Sequence, residues 1–178
     1  MHVHTDRDLC DALAALLAYP GPGYRVGGAV AAQFLAAAPA EVREAVQAHL
    51  RQVAEIPDAE LEELYTRTFD LNPVAALDVG WHLYGEAYER GAFLAEARDL
   101  LRRTGVADGP ELPDHLTLLL PVLARLPEDE AAALGHRILP AIEKMRAALS
   151  AKASPYESLL AAVEAVTRGA AGREGAPQ

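Results

Sequence analysis

Tyr65 to Asp70 reads YTRTFD, Trp81 to Gly91 reads WHLYGEAYERG, and Glu111 to Leu116 reads ELPDHL. In the middle segment Trp81, Tyr84 and Tyr88 fall at i, i+3 and i+7, the spacing that lines side chains along one helix face. Leu77 extends the row backward, and Leu94, Ala97, Leu100 and Leu101 extend it forward. The spacing predicts the longest helix of the chain here, with Gly91 as a kink or break and Gly105 as its C-terminal stop.

The same period recurs on both sides. Leu9, Leu13, Leu16 and Leu17 follow Thr5-x-x-Asp8, which resembles a capping box with Asp in place of Glu. Tyr19-Pro20-Gly21-Pro22-Gly23 then forms a loop. Val26, Val30 and Phe34 mark a second helix, and Val42, Val46, His49, Leu50 and Val53 a third. Pro57 resets the chain before a short helix through Leu61, Leu64, Tyr65 and Thr68. A helix from Asp114 carries Leu116, Leu119, Leu120 and Leu123, with Pro121 bending it. Leu134, Ile138, Ile142, Met145 and Leu149 draw the next stripe, bent at Pro140. Ser154-Pro155-Tyr156-Glu157 is a helix start with a reciprocal Glu, leading into Leu159, Leu160, Val163 and Val166. Ala and Leu, strong helix formers, dominate the apolar residues. The expected fold is therefore all-α: a compact single-domain bundle with kinked helices over residues 1–167, followed by a flexible tail over 168–178.

Charge excludes some functions and favours others. The 178 residues carry a formal net charge of −10. A nucleic acid or an anionic membrane surface repels such a chain. Residues 51–100 hold eleven acids against four arginines, so the negative charge gathers around the aromatic stripe. That combination suits holding a basic, partly apolar peptide. The single cysteine, Cys10, forms no internal disulfide and reads as a small core residue. The opening MHVHTDRD lacks the regions of a signal peptide, and no stretch is long and apolar enough to insert in a membrane. A cytoplasmic location is the expectation.

Chemistry-bearing patterns are sparse. Asp78, His82 and Glu86 at i, i+4 and i+8 offer a metal-type ligand set on one helix face, and also read as an ordinary exposed polar face. Glu-x-x-His, the pairing of bundle di-iron centres, is absent from the sequence. Asp114 after Pro113 reads first as a helix-start residue, and His115 as a half-buried histidine or a ligand contact. There is no Gly-x-Ser-x-Gly elbow, Walker loop or dinucleotide fingerprint. The expectation is a protein that is not an enzyme and carries neither cofactor nor metal. A small metal-dependent enzyme and a generic helical peptide-binding scaffold are the alternatives.

Tyr65-x-x-x-Phe69-Asp70, His82-x-x-Gly85-Glu86, Arg90-Gly91 and Glu111-Leu112-Pro113-Asp114-His115-Leu116 resemble, in order and spacing, the NarJ family of nitrate reductase assembly chaperones within the TorD/DmsD-like group. Leu16-x-x-Tyr19-Pro20 and Ser154-x-Tyr156 extend the likeness. The resemblance implies a TorD-like all-helical chaperone. It would bind the N-terminal segment of the nitrate reductase alpha subunit, assist molybdenum cofactor insertion and delay membrane docking. Cofactor-delivery proteins are a further implied partner. By the same likeness Tyr65, Phe69, Asp70, Trp81, Tyr84, Asp114 and His115 are candidate peptide contacts, with Phe69 and Trp81 as apolar anchors and Asp70 and Asp114 meeting cationic or amide groups. Thr68 departs from the pattern, standing where the broader group places a larger apolar residue.

Overall fold

The computed structural model describes residues 2–172; the side chains of residues 2–6, Val26 and Val30 lie outside the described set. Nine α-helices occur among the described residues, with no strand: α1 His2–Leu17, α2 Tyr24–Phe34, α3 Ala40–Val53, α4 Asp58–Tyr65, α5 Val79–Tyr84, α6 Tyr88–Thr104, α7 Leu116–Leu123, α8 Glu128–Ser150 and α9 Tyr156–Ala171. The all-α expectation holds. None of these helices is long and apolar enough to cross a membrane.

The centre is α9, which packs chiefly against α8 and α3. Tyr156, Leu159, Leu160, Ala162 and Val163 are fully buried along it. Each large side chain of this kind contributes about 1.5–3 kcal/mol by leaving water. On the other flank α1 lies against α2 and α7 through Leu9, Leu13, Leu16 and Leu17, and Arg125 clamps the carboxylate of Asp11 across that contact at 2.7 and 2.8 Å. Arg25 reaches from α2 to Asp58 and to the carbonyls of Val53, Ala54 and Ile56, so it covers orphan carbonyls at the end of α3.

Local reading and structure part company in several places. The segment expected as one long helix is two. Gly85, at φ +57°, ends α5, and α6 starts at Tyr88. Tyr88 is 91% exposed rather than in line with Trp81 and Tyr84, and Phe93 rather than Leu94 enters the core. The Asp78–His82–Glu86 row is dissolved by the same break: Asp78 precedes α5 and Glu86 follows its end. The helix expected from Asp114 begins at Leu116. α1 starts at His2, upstream of the expected cap, and the Thr5 side chain lies outside the described set. So do those of Val26 and Val30 from the second stripe. Ser154 does cap α9, accepting the Tyr156 N–H at 3.3 Å, but Glu157 pairs with Arg146 at 2.7 Å instead of reaching back. Of the tail expected from residue 168, the first part is the buried end of α9 at Ala170 and Ala171, and 173–178 lie outside the described residues.

A π-helical turn, Thr66–Asp70, follows α4. Its widened loop closes with the Leu71 N–H on Thr66 O at 3.0 Å. Thr68 and Phe69 point into the core and Asp70 faces out.

Candidate functional site

The three quoted segments converge on one short backbone contact. Residues 77–79 and 114–116 run antiparallel. The Val79 N–H donates to Asp114 O at 3.1 Å and the Leu116 N–H to Leu77 O at 2.9 Å, which pairs Asp78 with His115. Each segment of this bridge runs directly into a helix, Asp78 into α5 and His115 into α7. Asp114, expected to start its own helix, caps the other one: its Oδ2 accepts the Gly80 N–H at 2.9 Å. Position 80 admits only glycine without movement, because a Cβ there would sit 2.6 Å from that oxygen and 3.0 Å from Phe93. Asp114 is wholly buried, and its Oδ1 has no hydrogen-bond partner. Burial, then the nearby Asp78, raises its pKa; the Gly80 bond and Arg90 pull the other way.

His115 lies beside it, 8% exposed. Its Nδ1 is 2.7 Å from the Thr117 hydroxyl and its Nε2 is 3.9 Å from Glu111. Burial lowers the His115 pKa, while Glu111, Asp78, Asp114 and Asp70 all oppose that shift. Four carboxylates from three chain segments thus share one field. Tyr65 backs it from inside. Its hydroxyl donates to Leu17 O at 3.0 Å, and burial, followed by Asp70, Glu111 and Asp78, raises its pKa. Tyr65 packs on Phe69 at 5.0 Å and edge-on to Tyr19 at 5.5 Å. Phe69, expected as an apolar contact, is sealed with Tyr156 in the core. Tyr19 is half exposed, beside Glu62 and Asp70.

Trp81 follows Gly80 and opens the other half of the site. Its indole N–H donates to Pro73 O at 3.0 Å, and the Arg90 guanidinium sits 5.7 Å from its ring centre. A hollow of about 400 Å³ adjoins the ring, bounded by Pro73, Val74, Gly85, Lys144 and Ala148. Leu71 and Val74 stand beside this region 73% and 58% exposed. Tyr84 turns the opposite way. Its hydroxyl accepts from Arg137 Nε at 3.0 Å and its ring meets Phe93 at 5.8 Å, so it ties α5 to α6 and α8. His82 Nε2 lies 2.7 Å from Ala76 O, and among the described residues no three His, Cys, Asp or Glu side chains gather to hold a metal ion.

Of the seven carried-over residues, the structure brings Tyr65, Asp70, Asp114 and His115 together and links them to Trp81 through Gly80. Phe69 stands behind them in the core and Tyr84 on a separate contact. The periodic reading passed over Leu71 and Val74; the signal was present as two bulky apolar residues in the helix-free stretch Leu71-Asn72-Pro73-Val74.

An all-helical protein with an acidic face beside an open apolar hollow is the class that fold and site define. Residues 35–162, which hold all seven candidates, match the nitrate reductase delta subunit family. The chain belongs to that family. Over 122 residues it is 30% identical to the nitrate reductase molybdenum cofactor assembly chaperone NarJ of Escherichia coli K12, covering 68% of this chain and 52% of that protein. The NarJ of Escherichia coli O157:H7 matches to the same extent. The chain therefore spans about half the length of the curated relatives it matches.

Proposed function

We propose that this chain is a cytoplasmic assembly chaperone that binds the N-terminal segment of the respiratory nitrate reductase alpha subunit. Holding that segment keeps the subunit open to molybdenum cofactor insertion and delays its docking at the membrane, with cofactor-delivery proteins as further partners. One observation carries the reading: exposed Leu71 follows exposed Asp70 directly, and the hollow lined by Val74, Trp81 and His82 reaches the acidic field where Asp78 acts on His82. A basic, partly apolar segment suits both halves, with an apolar side chain in the hollow and cations over Asp70 and Glu111. Tyr65 and Phe69 form the wall behind the face, and Asp114 fixes its geometry through Gly80. Apolar burial supplies affinity; the carboxylates supply encounter and selection.

Calorimetry with the N-terminal peptide of the alpha subunit from the same genome tests this. Saturable binding that weakens with salt is expected. Trp81→Ala and Asp70→Asn should each cost about tenfold in affinity, as central interface residues do. Equal binding of a scrambled basic peptide would favour the generic scaffold. Failure of both the peptide and the intact apo-subunit to bind would defeat the proposal.

A further inference from the structure

The last turn of α1 ends on two carbonyls that the helix itself does not serve. Pro20 has no N–H to give Leu16 O, and the Gly21 N–H is bonded to Tyr19 O at 2.8 Å rather than to Leu17 O. Tyrosine hydroxyls take both places: Tyr24 on α2 donates to Leu16 O, and Tyr65 on α4 to Leu17 O, each at 3.0 Å. The Tyr24 hydroxyl is also 3.0 Å from Nε2 of His49, whose Nδ1 is 2.9 Å from Pro155 O. His49, on α3, has no exposed surface.

Counting hydrogens shows what this chain of contacts permits. A carbonyl only accepts, so Nδ1 of His49 carries a hydrogen. In the neutral ring Nε2 is then an acceptor. Tyr24 has one hydrogen, which serves either Leu16 O or Nε2, and one buried acceptor goes without. The imidazolium removes the conflict: Nε2–H donates to the Tyr24 oxygen, and Tyr24 donates onward to Leu16 O. Burial resists that charge and lowers the His49 pKa, with the Pro155 carbonyl opposing.

We propose that His49 and Tyr24 form a proton-operated latch on the turn between α1 and α2. Proton uptake at Nε2 commits the Tyr24 hydrogen to Leu16 O; proton loss leaves that hydrogen shared with the imidazole and loosens the turn. The turn carries Tyr19, at the rim of the acidic face, so the latch regulates that face; this last link alone rests on the proposed client reading. The titratable and charged groups around His49 are Tyr24 from α2 with Arg25 next to it, Tyr156 from α9 at 5.1 Å between ring centres, and Tyr65 from α4 behind Tyr156. Glu157, next along α9, is paired with Arg146. The Tyr156 hydroxyl is buried close to that of Tyr24.

Nitrogen-15 NMR of the histidine side chains in the full chain, taken from alkaline to mildly acid pH, tests the latch together with amide exchange at Gly21 and Tyr24. His49 should hold its hydrogen on Nδ1 at alkaline pH and become imidazolium while the protein stays folded. Protection of the two amides, corrected for intrinsic exchange, should rise about fivefold in step, the worth of one hydrogen bond. In Tyr24→Phe the rise should vanish and His49 should charge only at lower pH. A hydrogen on Nε2 in the neutral ring, or a His49 that stays neutral until acid unfolding, would overturn the proposal, and either is read in the unaltered protein. An unchanged rise in Tyr24→Phe would do the same. Absence of peptide binding would remove the client reading and leave these results standing.

Discussion

Gly80→Ala is the most direct test of how the site is assembled. The new methyl would lie 2.6 Å from Asp114 Oδ2, 3.0 Å from Phe93 Cδ1 and 3.4 Å from Arg90 Cγ. The first distance is too short to keep, so the carboxylate must move and the 2.9 Å bond from the Gly80 N–H is stretched or lost. Overpacking of a filled site costs about 1–3 kcal/mol, and a hydrogen bond to a charged group contributes about 1.5–3 kcal/mol. Alanine returns about 1 kcal/mol of helix propensity. The expected net loss is about 2–4 kcal/mol, or roughly 5–15 °C in Tm for a chain of this size. Gly91→Ala is the control: it lies in α6 and its methyl would meet nothing within 4 Å, so it should stabilise by about 0.5–1 kcal/mol. Urea unfolding monitored by circular dichroism reads both. A Gly80→Ala protein as stable as its parent would show that Asp114 is not held against α5, and the account of the site would fail.

Glu164 is 6% exposed; burial pushes its pKa up, but hydrogen bonds from Arg146 and Arg168 outweigh that and bring it below the usual value. Its stabilising contribution is present above the ordinary 4.5 and disappears as pH falls through the folded-state value. Arg146→Ala should cost about 1–2 kcal/mol at neutral pH, allowing for the screening of a partly exposed arginine, and less in acid; urea midpoints across pH check it. His49 has a pKa lowered mainly by burial, so the unfolded chain takes up the proton more readily and global stability should fall as pH drops below the ordinary 6.5, even as the imidazolium tightens the local turn between α1 and α2; His49→Gln should flatten that slope in the same titration. Protonated His115 adds a positive charge to the acidic face, so affinity for the basic peptide should decline as pH falls below 6.5, and calorimetry on His115→Gln should find the decline reduced. Asp114 has a raised pKa, caused first by burial, so its contribution is present in acid and is lost as pH rises from 3.8 toward the folded value; Asp114→Asn should remove that loss, read as the difference in unfolding free energy between the two proteins.

The helical period made most of the fold legible, because an amphipathic stripe is a local property and eight of the nine helices are long enough to display one. What escaped was set by partners distant in sequence. Gly85 and Gly91 look alike in a helical pattern; the break falls at Gly85, in the short segment whose first turn is held by Asp114, 34 residues away. Asp114 itself obeys the N-cap rule, but for α5 rather than for the helix that follows it. Phe69 entered as an apolar anchor through the family likeness alone; it follows buried Leu61 and Tyr65 at spacings of four, and the structure keeps it on that inward row. The family likeness names residues by position in a motif and carries no information on which of them face water: Phe69 and Asp114 are buried and Asp70 is exposed.

How the arginines are placed explains why the acidic face stays acidic. Arg25, Arg103, Arg125, Arg137, Arg146 and Arg168 all form ion pairs that join one helix to another or to a neighbouring turn. Asp70 and Asp78 have no such partner among the described residues, and Glu111 meets only His115. Charges held near one another without counter-charge destabilise the fold that holds them. The segments carrying Asp78 and Asp114 are held together by main-chain bonds at the Asp78–His115 pairing and by the Gly80 N–H on Asp114, none of which needs a cation. A face built in this way retains its field for an incoming partner, and the backbone bridge rather than a salt bridge is what keeps it in place.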